Sequence, residues 1–255
     1  MKQFILNYIG TKYRETKELK EIDFSKYDTI VELFGGSFGF IRYLFYELGI
    51  KDKKFIVYDF DAELIDFYNH FKNLENRQTF IDKYNSISKD IFTKYKTGKD
   101  NSNINLKPTI QYLDNLDENK YVIWLIKKNI TGCAISRIYL KNNLDNTIFD
   151  HVSFIHKPIQ DINFNEFTSS TLIYLDPPYL FECNTYYNQH NDFNNNKSFF
   201  RPIINLFMEH NISVIFIHSC NEILDYIFGK WIYKTYPKTY GSRSRKVDHV
   251  AYFKY

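Results

Sequence analysis

Apolar and polar positions follow two rhythms along this chain. Thr29–Phe34 is an apolar run of strand length, and after a glycine turn Phe40–Leu48 carries its apolar residues at helical spacing. The alternation repeats: Lys54–Tyr58 reads as a buried strand, Asp59-Phe60-Asp61 closes it, and Ala62–Phe71 returns to a helical pattern. Residues 73–150 change character. Asn and Lys become frequent, apolar periodicity is concentrated in Tyr121–Ile130, and Tyr95–Lys107 is polar enough to suggest a mobile loop. Strand patterns resume at Val152–Ile155 and Leu172–Leu175, a helix is expected near Phe199–Glu209, and Ser213–His218 is a further buried strand. Ile232–Tyr236 and Val247–Phe253 flank a turn at Gly241-Ser242, as in a hairpin. The expected fold is α/β: a Rossmann-like, helix-covered parallel sheet closed by an antiparallel hairpin, with 1–72 and 151–255 as one domain and 73–150 as a helical insertion.

Thr171–Tyr179 is where the pattern breaks most sharply. Leu172–Leu175 suits a strand buried on both faces, and Pro177 and Pro178 then end it, because neither can donate a ladder hydrogen bond. Asp176, the Pro177 carbonyl and the Tyr179 ring are thereby held at the carboxyl end of a strand, where open α/β sheets bind ligands. Asp176 taken alone equally suits a turn residue. The glycine turn after the first strand reads Gly35-Gly36-Ser37-Phe38-Gly39, with Asp59 24 residues beyond Gly35. That interval places an acid where ribose hydroxyls are met. The spacing is Gly-Gly-x-x-Gly and not the dinucleotide Gly-x-Gly-x-x-Gly, so a ligand with ribose but no pyrophosphate fits better.

Composition sharpens this in three places. The 255 residues include 24 Phe and 22 Tyr, and a surplus of Tyr suits a surface that stacks on bases as well as a core. Net charge is only +3, but 225–255 holds seven Lys/Arg against two Asp and 119–145 holds five against one. Two basic zones on a nearly neutral chain suggest a polyanion surface, although each zone also reads as a solvated face. Cys133, Cys183 and Cys220 are far apart and show neither metal-ligand nor disulfide spacing, which favours a reducing, intracellular setting. No signal-peptide pattern and no run of transmembrane length is present, so a soluble protein is expected, with no membrane partner. The scattered histidines imply no metal, and His218 reads as a satisfied buried residue.

In this order the motifs resemble those of the Dam-type DNA adenine-N6 methylases, which use S-adenosylmethionine. Tyr8-Ile9-Gly10-Thr11-Lys12-Tyr13 is similar to the family's Trp-Ala-Gly-Gly-Lys-Tyr. Glu32–Ser37, Tyr58–Ile65 and Asp176-Pro177-Pro178-Tyr179 follow in the family's order. Asn129–Arg137 is similar to its target-recognition stretch, and Arg243–Asp248 to its Arg-Lys-Lys-Val-Asp-Glu. Thr11 departs from the pattern in place of the second glycine, and the insertion lacks most of the family's recognition-hairpin residues.

The resemblance implies methyl transfer to adenine N6 in DNA, most simply double-stranded, with the base flipped out of the helix, and a place in restriction-modification. Asp176 and the Pro177 carbonyl would orient the amine, with Pro178 completing the turn and Tyr179 stacking on the base. It assigns the cofactor to Tyr8, Gly10, Lys12, Phe34, Gly35, Gly36, Gly39, Asp59, Asp161 and Asp176. Lys127, Lys128, Arg137 and Lys141 in the insertion, and Arg243, Arg245 and Lys246 in the hairpin, become candidate nucleic-acid contacts. Asn184–Lys197, with Tyr186, Tyr187 and Phe193, reads as a lid ordered by nucleic acid or as an inert loop. The same chemistry on RNA or single-stranded DNA, or a non-catalytic subunit that keeps the fold, are the rival readings. Recognition sequence and oligomeric state are not specified by these residues.

Overall fold

A computed structural model of the chain describes residues 4–6, 13, 15–97, 103–132, 140, 144–178, 200–240 and 245–255. In chain order the elements are β1 (Thr29–Leu33), α1 (Gly39–Tyr46), β2 (Lys54–Asp59), α2 (Ala62–Lys72), α3 (Arg77–Tyr95), β3 (Lys96–Thr97), β4 (Asn103–Ile104), α4 (Leu106–Asp114) and α5 (Lys120–Gly132). They continue with α6 (Ile148–His151), β5 (Val152–His156), β6 (Thr171–Leu175), α7 (Phe200–Glu209), β7 (Ser213–Ser219), α8 (Glu222–Phe228), β8 (Ile232–Tyr240) and β9 (Arg245–Lys254). The chain divides into two compact units, Met1–Thr11 with Asp66–Asp150, and Lys12–Ile65 with His151–Tyr255.

The second unit is built on one seven-stranded sheet of order β5-β2-β1-β6-β7-β9-β8. The first five strands are parallel, and β9 pairs antiparallel with both β7 and β8. Parallel strands need cover on both faces, which is why β1, β6 and β7 are apolar almost throughout. Val31, Leu33, Ile173, Leu175, Val214 and Phe216 face a core completed by Ile203, Leu206 and Phe207 of α7 and by Phe228 of α8. On the other face Phe40 of α1 stacks on Tyr174, ring centroids 4.2 Å apart. Pro237 is tolerated in β8 because that strand is at the sheet edge.

The chain runs from β1 outward to β2 on one side and later returns to add β6 on the other side of β1. The order therefore reverses between β1 and β6, the switch point at which open parallel sheets leave a crevice at their carboxyl ends.

The first unit is helical. Phe67, Phe71, Phe80, Trp124 and Phe149 form its aromatic core, with Phe67 stacked on Trp124 at 4.8 Å. Arg77 closes the start of α3 by donating to the Phe71 and Lys72 carbonyls and by pairing with Asp150.

Several sequence expectations need correction. Phe34 is not the last residue of β1: its φ of 59° takes it out of the strand. Helix α3 buries Phe80, Ile81, Tyr84, Ile87 and Ile91, so periodicity in the insertion is not concentrated in Tyr121–Ile130. Tyr95–Lys107 is not merely a polar loop, since β3 and β4 pair within it and α4 begins at Leu106.

Candidate active site

The glycine turn has an unusual backbone. Phe34, Gly36 and Phe38 all lie in the left-handed region, at φ of 59°, 46° and 39°. Glycine accepts this freely, but for each phenylalanine it costs on the order of 1–3 kcal/mol, and such outliers concentrate at ligand sites. Two hydrogen bonds tie the turn to β2. The Gly35 N–H donates to the Tyr58 carbonyl at 3.0 Å, and the Gly36 N–H donates to Asp59 Oδ2 at 2.8 Å. Gly35 is needed for close approach, because a Cβ there would fall 2.3 Å from Val57 Cγ1.

Asp59 is buried, and its Oδ1 accepts from the Asp61 N–H at 2.9 Å. Burial pushes its carboxyl up to about 6, opposed by those two N–H bonds, which favour the anion. The Phe60 N–H also favours the anion, and a carboxylate with about four acceptor sites keeps some capacity beyond these three donors.

Glu32, the penultimate residue of β1, escaped the sequence reading. Its Oε1 and Oε2 accept from the Phe40 and Ile41 N–H groups at 3.3 and 3.0 Å. It thus caps α1, whose N-cap residue Phe38 offers no side-chain bond. Burial pushes Glu32 up to about 8; the two N–H bonds and Arg42 oppose this, and the nearby Asp176 adds to it. The signal was present as an acid inside an apolar strand.

Because β5, β2, β1, β6 and β7 are parallel and adjacent, their carboxyl ends form one edge. Along it come Asp161, exposed in a 3₁₀ turn past β5, then Asp59, the Phe34–Gly39 turn, Asp176–Pro178, and His218 at the end of β7. Leu33 is in register with both Tyr58 and Leu175, so Asp59 and Asp176 flank the turn symmetrically, one strand away on either side. Two ladder spacings separate their strands, about 10 Å. Asp176 and Pro178 are half-buried and Pro177 is buried; Phe34 is half-buried, against the core under β1 and β6. His218 is buried, with Nδ1 2.9 Å from the Ser219 carbonyl.

Of the candidate polyanion contacts, Lys127 is ion-paired with Asp114, and Lys128 lies over the Trp124 ring at 5.2 Å. Lys246 is exposed on β9. Tyr8, Gly10, Lys12, Tyr179, Arg137, Lys141, Arg243, the Arg245 side chain and Asn184–Lys197 lie outside the described residues. Asn129, at the head of the stretch resembling a recognition segment, is buried. Its Nδ2 donates to the Ile5 carbonyl at 3.1 Å and to Tyr84 Oη at 2.9 Å.

A mostly parallel seven-stranded sheet of this order is a Rossmann-like methyltransferase fold. No protein-family model matches the chain. The modification methylase StsI of Streptococcus sanguinis is 23% identical to it over 197 residues, which cover 71% of this chain and 29% of that methylase. The chain thus spans less than a third of the length of the curated relative it matches. Among the described residues, no helix is long and apolar enough to cross a membrane, and no group of three or more His, Cys, Asp or Glu is placed to hold a metal ion.

Proposed function

We propose that this chain transfers a methyl group from S-adenosylmethionine to the N6 amine of adenine in DNA. The observation that carries the proposal is the shared edge: Asp59 and Asp176–Pro178 on either side of a left-handed glycine turn, at the switch point of the sheet. The relative's name, a modification methylase, supports methyl transfer to DNA as the reaction class.

The donor set suits S-adenosylmethionine. Asp59 retains acceptor capacity for a ribose hydroxyl, the turn at Gly35 and Gly36 is tied to β2 by its backbone N–H groups, with Gly39 closing it, and the half-buried Phe34 ring offers an apolar wall. By resemblance to the Dam-type methylases, Asp161, Tyr8, Gly10 and Lys12 are further candidate cofactor contacts. When bound, the cofactor supplies an electrophilic methyl group on a sulfonium.

The chain's own residues then act on the amine. The adenine N6 lone pair is delocalised into the ring, which makes it a poor nucleophile. The Asp176 carboxylate and the Pro177 carbonyl, accepting from its two hydrogens, favour a tetrahedral nitrogen with an available lone pair. Asp176 also offsets the positive charge that grows on nitrogen as the N–C bond forms. Tyr179 stacks on the extruded base. Holding amine and methyl in line supplies much of the remaining rate. The unit that includes 66–150 carries target recognition in this reading, with Lys128, Arg137 and Lys141 as candidate contacts, and Arg243, Arg245 and Lys246 of the hairpin are candidate phosphate contacts. Lys127 can serve only by exchanging Asp114 for a phosphate.

Transfer of labelled methyl groups to duplex DNA, single-stranded DNA and RNA, with Asp176→Ala alongside, tests the proposal. Incorporation into duplex DNA should be highest and should fall by about a hundredfold or more in the variant. Preference for RNA or single strands would move the substrate. Equal background in both proteins, with equal DNA binding, would make the chain a non-catalytic subunit.

A further inference from the structure

Tyr174 sits on β6 two residues before Asp176, so the strand's alternation puts the two side chains on the same face of the sheet. Its register partner on β1 is Glu32. The residue is fully buried, and its ring lies nearly parallel to that of Phe40, at 4.2 Å and 6°. Among the described residues its hydroxyl has no hydrogen-bond partner. A buried hydroxyl without a partner costs stability, and phenylalanine would fill the same stack without that cost. Tyrosine at this position calls for another reason.

The groups whose charge acts on the hydroxyl supply one. They are Asp176 beyond β6, Glu32 on β1, Tyr236 on β8 and Glu15 in the 3₁₀ turn Glu15–Leu19; burial and these charges together hold its pKa well above the ordinary phenol value. Tyr174 therefore keeps its proton and can only donate to an anion. Glu32 receives the Phe40 and Ile41 N–H groups, and Glu15 receives Tyr236 Oη at 3.1 Å, pairs with Lys238 and lies 3.0 Å from His249 Nδ1. Asp176 is the acid that directly follows Tyr174's own strand, at the ligand edge.

We propose that Tyr174 is a positioning residue for Asp176: its buried hydroxyl donates to the Asp176 carboxylate when the target amine is in place, holding the acid ionised and aimed. The inference rests on the proposed role of Asp176 in methyl transfer. No proton changes hands in it. The hydroxyl keeps its hydrogen, and the carboxylate gains one donor that favours its charged form.

Tyr174→Phe separates this role from a structural one. Removal of an unpartnered buried hydroxyl should leave the melting temperature equal to or above that of the wild type. The kcat should fall about tenfold to a hundredfold, the loss expected for one hydrogen bond to a charged group, while the KM for S-adenosylmethionine stays unchanged. The acid limb of the pH–rate profile should move to higher pH. A variant with wild-type kcat and an unmoved acid limb overturns the inference, as does one that melts lower than the wild type. If the wild-type protein methylates no nucleic acid at all, the reading of the function fails, and the inference is then judged from the Asp176 carboxyl titration by carbon-13 NMR with adenine-containing duplex DNA bound. A higher midpoint in Tyr174→Phe supports it, and an unchanged midpoint overturns it.

Discussion

Replacing Asp176 by Asn keeps the shape of the turn after β6 while removing the charge that would face the target amine. The account expects methyl transfer to fall by about a hundredfold to a thousandfold with the melting temperature unchanged, as steady-state rates and calorimetry would read. A second prediction concerns the two buried carboxyls beside it. Asp59 and Glu32 have folded-state values of about 6 and about 8, both above the unfolded range near 4. The folded chain thus holds their protons more tightly. Their contribution to stability is complete below about pH 4, and it is lost as pH rises through 6 for Asp59 and through 8 for Glu32. The melting temperature should therefore fall between about pH 4 and 8, with a shallower slope in Glu32→Gln, above all between pH 6 and 8; an equal slope in the two proteins would refute the assignment. At this scale the sequence exposed residues that punctuate the pattern. Asp176 stands out because two prolines follow it, and Asp59 because its distance from Gly35 is fixed by one βαβ unit. Glu32 and Tyr174 take their meaning from being partners across two strands 142 residues apart in the chain, and no local pattern carries that register.

Among the elements, the contact between the glycine turn and β2 is the tightest at the site. Gly35→Ala would place a methyl group 2.3 Å from Val57 Cγ1, on a buried β-branched side chain with little room to turn. A loss of about 1–3 kcal/mol is expected from urea unfolding. Gly35→Ala with Val57→Ala should be less unstable than the two single losses added together; strict additivity would show that the turn relaxes some other way. The hairpin offers a separate test. Glu15 joins the 3₁₀ turn that precedes β1 to Tyr236 and Lys238 of β8 and His249 of β9, with only 9% of its own side chain exposed. Glu15→Ala should cost about 3 kcal/mol, because it strands a buried histidine and a mostly buried lysine. Strands and hairpin were legible in the sequence because buried parallel strands are apolar runs and edge strands alternate. Helix α3 is hard to read because its apolar positions are diluted by exposed Lys, Asp and Ser, although Phe80, Tyr84, Ile87 and Ile91 keep the helical period.

For the whole molecule, the order of motifs along the chain proved more legible than their arrangement. That the glycine turn and Asp176 belong to adjacent strands follows from β6 returning beside β1, which depends on long-range pairing and not on any local signal. The division into a helical unit and a sheet unit has a physical basis in composition. The sheet unit is rich in continuous apolar runs, whereas the helical unit intersperses its aromatic core with Lys and Asn. The central claim is that the carboxyl edge of this sheet methylates the exocyclic amine of adenine, and nucleoside analysis tests it most directly. Unmethylated duplex DNA is incubated with the protein and S-adenosylmethionine, digested to nucleosides and resolved by mass spectrometry. The account predicts N6-methyldeoxyadenosine in the wild-type reaction and its loss with Asp176→Asn. Methylated deoxycytidine in its place, or N6-methyldeoxyadenosine undiminished in the variant, would contradict it.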